Sequence, residues 1–208
     1  MEIKMNKGMT ILYRVHNNLY VNLTNRCSSA CVFCLRQNHD TVGDSDTLWL
    51  EHEPTYEEVI EAFKDFPADS YDELVFCGYG EPTIRFDLIK DVAGYVKKNF
   101  GKKIRLNTNG QGNLINERNI EAEMEGLIDT VSISLNNPDP VKYQELVKSR
   151  FGVQAFDAML SFAREAKKYV PNVVLSTVAT TITKEEEARC AAICEELGVT
   201  YRIRAYES

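Results

Sequence analysis

Three cysteines, Cys27, Cys31 and Cys34, fall within eight positions of one another in the stretch NRCSSACVFCLRQ, with no fourth cysteine nearby. Three thiols at this spacing suit three kinds of chemistry. They could pack as small apolar residues, but Arg26, Ser28, Ser29 and Arg36 make the segment polar for a core. With His39 they could form a Cys3His zinc site, although structural zinc ligands usually come as two separated pairs. Or three thiolates could hold a four-iron, four-sulfur cubane and leave one iron without a protein ligand. An open iron position can receive a substrate directly, as the open position of a catalytic zinc does.

The frame that must position these residues is bounded by composition. The chain has 208 residues, 44% hydrophobic and 26% charged, which suits one globular domain with a real core. No run approaches the roughly 18 apolar residues of a membrane span, and the N-terminal MEIKMNKGMTILYRV has no long apolar core of a signal peptide. A cytoplasmic location with no membrane partner is expected. Six unevenly spaced cysteines without a secretory signal argue for metal or redox chemistry rather than a disulfide framework. With a net charge of −7 and scattered lysines and arginines, no nucleic-acid partner is expected.

Along the chain, β-rich runs alternate with segments of helical period. ILYRV and LYVNLT flank HNN as a hairpin whose second arm leads into the cysteine loop. Thr55 and Glu58 form a capping box opening a helix to about Phe66. ELVFCG reads as a buried strand, FDLIKDVAGYVKKNF as a helix ended by Gly101, and KIRLNT as a strand. The turn NGQGN is then followed by a helix through IEAEMEG. TVSISL is a strand, Pro140 behind Asp139 opens a helix, and a second helix covers about Ala155 to Val170. VVLSTVATT, a helix capped by Thr183 and Glu186, and VTYRIRAY complete six βα-type repeats.

Conspicuous polar residues fall just after successive strands: the cysteines, then GYGEP, TNG and SLNN. Strand ends that converge on one mouth are the barrel arrangement, whereas a doubly wound sheet gathers its site at one switch point. The expected fold is therefore α/β, a partial, laterally open (βα)6 TIM-like barrel. It would be a single domain over residues 1–208 with a short N-terminal β-hairpin arm of about residues 1–20.

Cys-x3-Cys-x2-Cys with Phe33 before the last cysteine resembles the signature of the radical S-adenosylmethionine (SAM) superfamily. GYGEP, Gly78 to Pro82, is similar to that family's GGEP motif, with Tyr79 as the departure. TNG at Thr108–Gly110 and SLN at Ser134–Asn136 resemble its later strand ends, the last with Asn where Asp is frequent. LYVNLTNRCSSACVFCLR further resembles the small radical SAM proteins associated with TatD-type nucleases. The resemblance implies a radical SAM core in which Cys27, Cys31 and Cys34 hold a [4Fe–4S] cluster. Its open iron would chelate SAM, and reductive cleavage would yield methionine and a 5′-deoxyadenosyl radical for hydrogen abstraction. It also implies an electron donor such as flavodoxin or ferredoxin, and a small-molecule or peptide substrate.

By that resemblance Phe33 would lie near the adenine, and Gly78, Tyr79 and Gly80 would expose backbone groups to the methionyl ammonium. Glu81 would accept a bond there or brace the loop. Asn107, Thr108, Asn109, Ser134 and Asn136 are short hydrogen-bonding residues suited to ribose hydroxyls and the carboxylate, while Asn-Gly equally suits a plain turn. Arg26 and Arg36 read as solvated charges rather than as groups tuning the cluster potential, Cys77 as core, and Cys190 and Cys194 as sharing one helix face. Residues 37–54, with His39, Trp49 and His52, are long for a connection and read as a lid or substrate loop. Two alternative functions fit the same residues: a glycyl-radical activase acting on a partner protein, and a non-catalytic Cys3His zinc module.

Overall fold

β1 (Leu12–Val15) and β2 (Asn18–Val21) pair antiparallel about a two-residue turn, in which His16 takes a left-handed φ of 52°. The computed structural model describes residues 8–206, so the first seven residues of the expected arm lie outside the described range. From β2 onward every pairing is parallel: β3 (Glu73–Phe76), β4 (Lys103–Thr108), β5 (Thr130–Ser134), β6 (Asn172–Val178) and β7 (Thr200–Arg204) follow in sequence order. Among the described residues β7 does not pair with β1, so the sheet is open. β1 belongs to this same sheet.

The helices carry strong end signals. In α1 (Tyr56–Ala62) the Thr55 hydroxyl accepts from the Glu58 N–H and the Glu58 carboxylate accepts from the Thr55 N–H. The helix is shorter than its apolar spacing predicts, because Phe63–Asp65 tighten into a 3-10 turn. α2 (Phe86–Phe100) ends at Gly101, whose φ of 61° is the left-handed conformation that suits glycine. The helix expected through IEAEMEG does not form. Instead α3 (Gly112–Asn116) stops at Glu117, and a 3-10 turn covers Glu121–Met124. Asn113 explains the break: its amide oxygen accepts from the Ile120 N–H at 3.1 Å and its NH2 donates to Glu121 at 2.7 Å. α4 (Pro140–Val147) is capped by Asp139, α5 spans Gln154–Ala166, and α6 (Lys184–Leu197) carries the Thr183–Glu186 capping box. Pro171 follows the turn that ends α5, four residues short of the expected Val170.

Strand alternation then assigns two faces with different chemistry. Leu19, Val21, Leu74, Phe76, Ile104, Leu106, Val131, Ile133, Val173 and Leu175 are buried in one cluster with the apolar faces of α2 and α5. The intervening residues, such as Tyr20, Arg105, Asn107, Ser134, Arg202 and Arg204, face a cavity. Helices thus cover one face while the other curves around polar side chains, as in a barrel missing its last strands. No helix among the described residues is long and apolar enough to cross a membrane.

Candidate functional site

The cysteine loop leaves β2 and lies against the end of α4. The N–H groups of Ala30 and Val32 donate to the carbonyls of Val147 and Leu146 at 3.0 and 2.9 Å, and the Arg150 N–H donates to the Ser28 carbonyl at 2.9 Å. Beneath it sits Gln111, fully buried. Its amide oxygen accepts from the hydroxyls of Ser28 (2.9 Å) and Ser149 (2.8 Å), and its NH2 donates to Ser29 (3.2 Å) and Tyr143 (3.3 Å). A buried amide so fully satisfied fixes the loop, since breaking any one bond strands a desolvated group. Cys27, Cys31, Cys34 and Phe33 all line one cavity of about 580 Å³.

Arg36 is no solvated charge. Its guanidinium donates to the carbonyls of Asn25 (3.2 Å), Tyr79 (3.3 Å) and Ser29 (3.4 Å), clamping the cysteine loop to the Gly78–Pro82 loop. Arg26 is exposed but forked onto Glu53 at 2.6 and 2.8 Å, and Glu53 also binds Arg85 at 3.3 Å. The glycines of GYGEP serve close packing: a Cβ at Gly78 would lie 2.1 Å from Asn22 Oδ1, and one at Gly80 would lie 2.3 Å from the Thr24 carbonyl oxygen. Tyr79 is buried. Its hydroxyl donates to the His39 and Thr41 carbonyls, and its ring meets Trp49 edge-on at 5.2 Å. That contact anchors the segment 37–54, which sends Val42 and Leu48 to the cavity and pairs Leu50 with Gly8.

Glu81 braces the loop and does not line the main cavity. It is buried and accepts from the Thr83 N–H (3.1 Å), the Thr83 and Thr108 hydroxyls (2.7 Å each) and the Asn109 N–H (2.8 Å). Burial raises its pKa and these donors oppose the rise. Thr108 is likewise turned to this brace, while Gly110 takes a φ of 76° in the turn. Asn109 lines the cavity and donates to Ser28 at 2.9 Å. Asn107, Ser134 and Asn136 also line it, and the Oδ1 atoms of Asn107 and Asn136 are buried without a hydrogen-bond partner. Asn136 reaches the cavity by a left-handed φ of 60° beyond the end of β5, not by strand alternation.

The thiols of Cys27 and Cys31 are strongly perturbed. Burial pushes Cys27 up to about 11, with the Glu81 charge adding, and pushes Cys31 up to about 12, with Cys34 and Cys27 adding. Three thiols in one desolvated wall call for a cation that draws off their protons. Zinc fits poorly: His39 is not among the cavity residues, and among the described residues no three His, Cys, Asp or Glu groups gather closely enough to share one ion. Thiols spread around a common space suit a cluster, whose irons each take one sulfur. The two unpartnered amide oxygens in the same wall suit a polar ligand beside it.

Several cavity residues went unnoticed in the sequence. Cys77 lies past the end of β3 in the cavity wall, not in the apolar core. Its thiol pKa is raised by burial, against a hydrogen bond from Asn107 and the charges of Arg204 and Arg105. Arg105, Arg202 and Arg204 also line the cavity. Alternation was the available signal, since polar residues at spacing two in KIRLN and YRIR mark an inner face. Cys190 and Cys194 share the buried face of α6, as their spacing predicts.

The profile of the Radical SAM superfamily matches residues 21–195. The Caenorhabditis elegans molybdenum cofactor biosynthesis protein moc-5 is 26% identical over 190 residues, 89% of this chain and 30% of that protein. A GTP 3',8-cyclase of Aquifex aeolicus (strain VF5) is 28% identical over 188 residues, 90% of this chain and 56% of that enzyme. The chain thus spans 30% and 56% of the lengths of these two curated relatives. Among solved structures, Streptococcus suis SuiB bound to S-adenosylmethionine is similar with a TM-score of 0.66 at 18% identity, over 93% of this chain and 43% of that one. The profile match runs from the end of β2 into α6, and by it the chain belongs to the radical SAM superfamily, enzymes that use a [4Fe–4S] cluster and S-adenosylmethionine.

Proposed function

We propose that this chain performs radical SAM catalysis, with Cys27, Cys31 and Cys34 holding the cluster and SAM lying in the adjoining cavity. The observation that carries this reading is that the three thiols share one cavity wall with two buried, unpartnered amide oxygens, those of Asn107 and Asn136. Held by Cys27, Cys31 and Cys34, the cluster would supply one-electron reductive cleavage of SAM for hydrogen abstraction from the substrate.

The chain's own residues bind, orient and exclude water. Phe33 offers a flat apolar surface for the adenine, and the backbone of Gly78, Tyr79 and Gly80 faces the methionyl end. Asn107, Asn109, Ser134 and Asn136 offer hydrogen bonds to ribose hydroxyls and the carboxylate. Glu81 and Thr108 hold that wall from behind. GTP 3',8-cyclase is the name of a longer relative, of which this chain spans 56%.

Anaerobic reconstitution with iron, sulfide and dithionite, followed by SAM, should release 5′-deoxyadenosine slowly even without substrate. Cys27→Ala, Cys31→Ala and Cys34→Ala should each lose the iron–sulfur absorbance, while Cys190→Ala and Cys194→Ala keep it. Production of S-adenosylhomocysteine alone would point to ordinary methyl transfer and overturn the reading.

A further inference from the structure

Among the described residues, the cavity wall carries four arginines, Arg36, Arg105, Arg202 and Arg204, and no aspartate, glutamate, lysine or histidine. Arg36 is spent on backbone carbonyls beside the cysteine loop. The others stand elsewhere. Arg105 lies on β4, two residues before Asn107, and Arg202 and Arg204 lie on β7, the strand at the opposite end of the parallel array from β2. Arg105 is steadied from outside the cavity by Glu73 at 3.0 Å, and Arg202 reaches across to the Ser132 hydroxyl at 3.4 Å.

Glu73 answers the Arg105 charge alone, and a second guanidinium, Arg202, held near it in a partly desolvated wall is unfavourable until a further anion joins them. Burial, followed by the Arg105 charge, lowers the Arg202 pKa, as expected of like charges held in one space. The whole chain carries a net charge of −7, so an arginine-lined cavity is a local reversal of sign. A concave positive site in an acidic protein concentrates small anions there. Guanidinium groups match carboxylate and phosphate oxygens two at a time.

We propose that the substrate bears an oxyanion, a carboxylate or a phosphate, which Arg105 and Arg202 bind on the β4–β7 side of the cavity with Arg204 beside them. This rests on the radical SAM reading above, which places SAM against the cysteines, the Gly78–Pro82 loop and the asparagines. Anchoring the substrate by its charged end fixes its distance from the SAM ribose, which is what positional selectivity of hydrogen abstraction requires.

The test titrates inorganic pyrophosphate and succinate, separately, into the reconstituted, SAM-saturated protein by calorimetry at low ionic strength. One of the two should bind saturably at one per chain. Pyrophosphate preference identifies a phosphate ester and succinate preference a carboxylate. Arg202→Gln should weaken the preferred probe by about tenfold or more, the worth of one charged hydrogen bond, with iron content and SAM affinity kept. Arg105→Gln should do the same, and Arg202→Gln remains decisive where loss of the Glu73 pair unfolds that variant. The proposal is overturned if neither probe saturates, if Arg202→Gln leaves probe affinity unchanged, or if it weakens SAM as much as the probe. Cluster absorbance and 5′-deoxyadenosine are read on the same samples. Their absence with probe binding intact would retire the radical reading while supporting the anion site.

Discussion

At Asn136 the backbone conformation decides what one side chain offers the cavity. Asparagine tolerates the left-handed region better than most residues, and its φ of 60° turns the amide into the cavity with Oδ1 unpartnered. Asn136→Gly keeps that backbone accessible and deletes the amide. SAM affinity should fall by a factor corresponding to about 0.5–1.5 kcal/mol, the net worth of one hydrogen bond. Isothermal titration beside a melting curve checks this, and unchanged affinity would remove the residue from the site. Neighbouring residues have different work: Gln111 and Glu81 are saturated by protein donors and acceptors, so they hold the wall in place.

At the scale of elements, the glycines separate packing from propensity. Gly94 sits within α2 with nothing within 4 Å of a built Cβ, so Gly94→Ala should stabilise the chain by about 0.5–1 kcal/mol through helix propensity. Gly80→Ala should instead lower the melting temperature and the iron content together. Its Cβ would meet backbone oxygens of Thr24 and Arg26 at 2.3 and 2.5 Å, and backbone there cannot yield without moving the cysteine loop. A tie between α4 and α6 gives a pH signature. Glu186 binds Lys142 at 2.7 Å, and this bond, aided by the Thr183 N–H, lowers its pKa from 4.5 to about 2. A depressed carboxylate contributes stability that is present above its unfolded pKa and lost as pH falls through the folded value. The fall in melting temperature between pH 4.5 and pH 2 should therefore be shallower in Glu186→Gln than in the wild type. Equal slopes would show that the pair does not couple the helices.

Across the described residues, one face of the sheet is a packed core and the other a polar mouth, so the core and the candidate site lie on opposite faces. Strands β3 to β6 contribute Leu74, Phe76, Ile104, Leu106, Val131, Ile133 and Leu175, all fully buried. A ligand adds stability only to the states that bind it. Removing iron with a chelator should therefore speed amide hydrogen exchange in residues 24–38 and 78–82 while β4 and β5 stay protected. Local opening of loops below the global barrier is what such exchange reports. A uniform increase across the sheet would mean that the cluster holds up the entire fold, against the division described.

The sequence alone settled the order of elements, because strand alternation, the two capping boxes and the glycine stops are local events within a few residues of one another. It singled out the cysteine loop for the same reason, since three thiols within eight positions need no tertiary information to be read together. The broken helix after α3 escaped it, because the side chain of Asn113 outcompeted helical periodicity. What only the tertiary structure decided is which distant residues share a wall: Arg105 and Arg202 lie 97 positions apart in sequence, and parallel pairing across β4 to β7 brings them to one cavity. The same holds for Gln111 beneath Ser28 and for Glu81 behind Thr108. Parallel strands are joined by crossovers far longer than the reach of local pattern, so their convergence is a property of the sheet and its curvature, not of any segment within it.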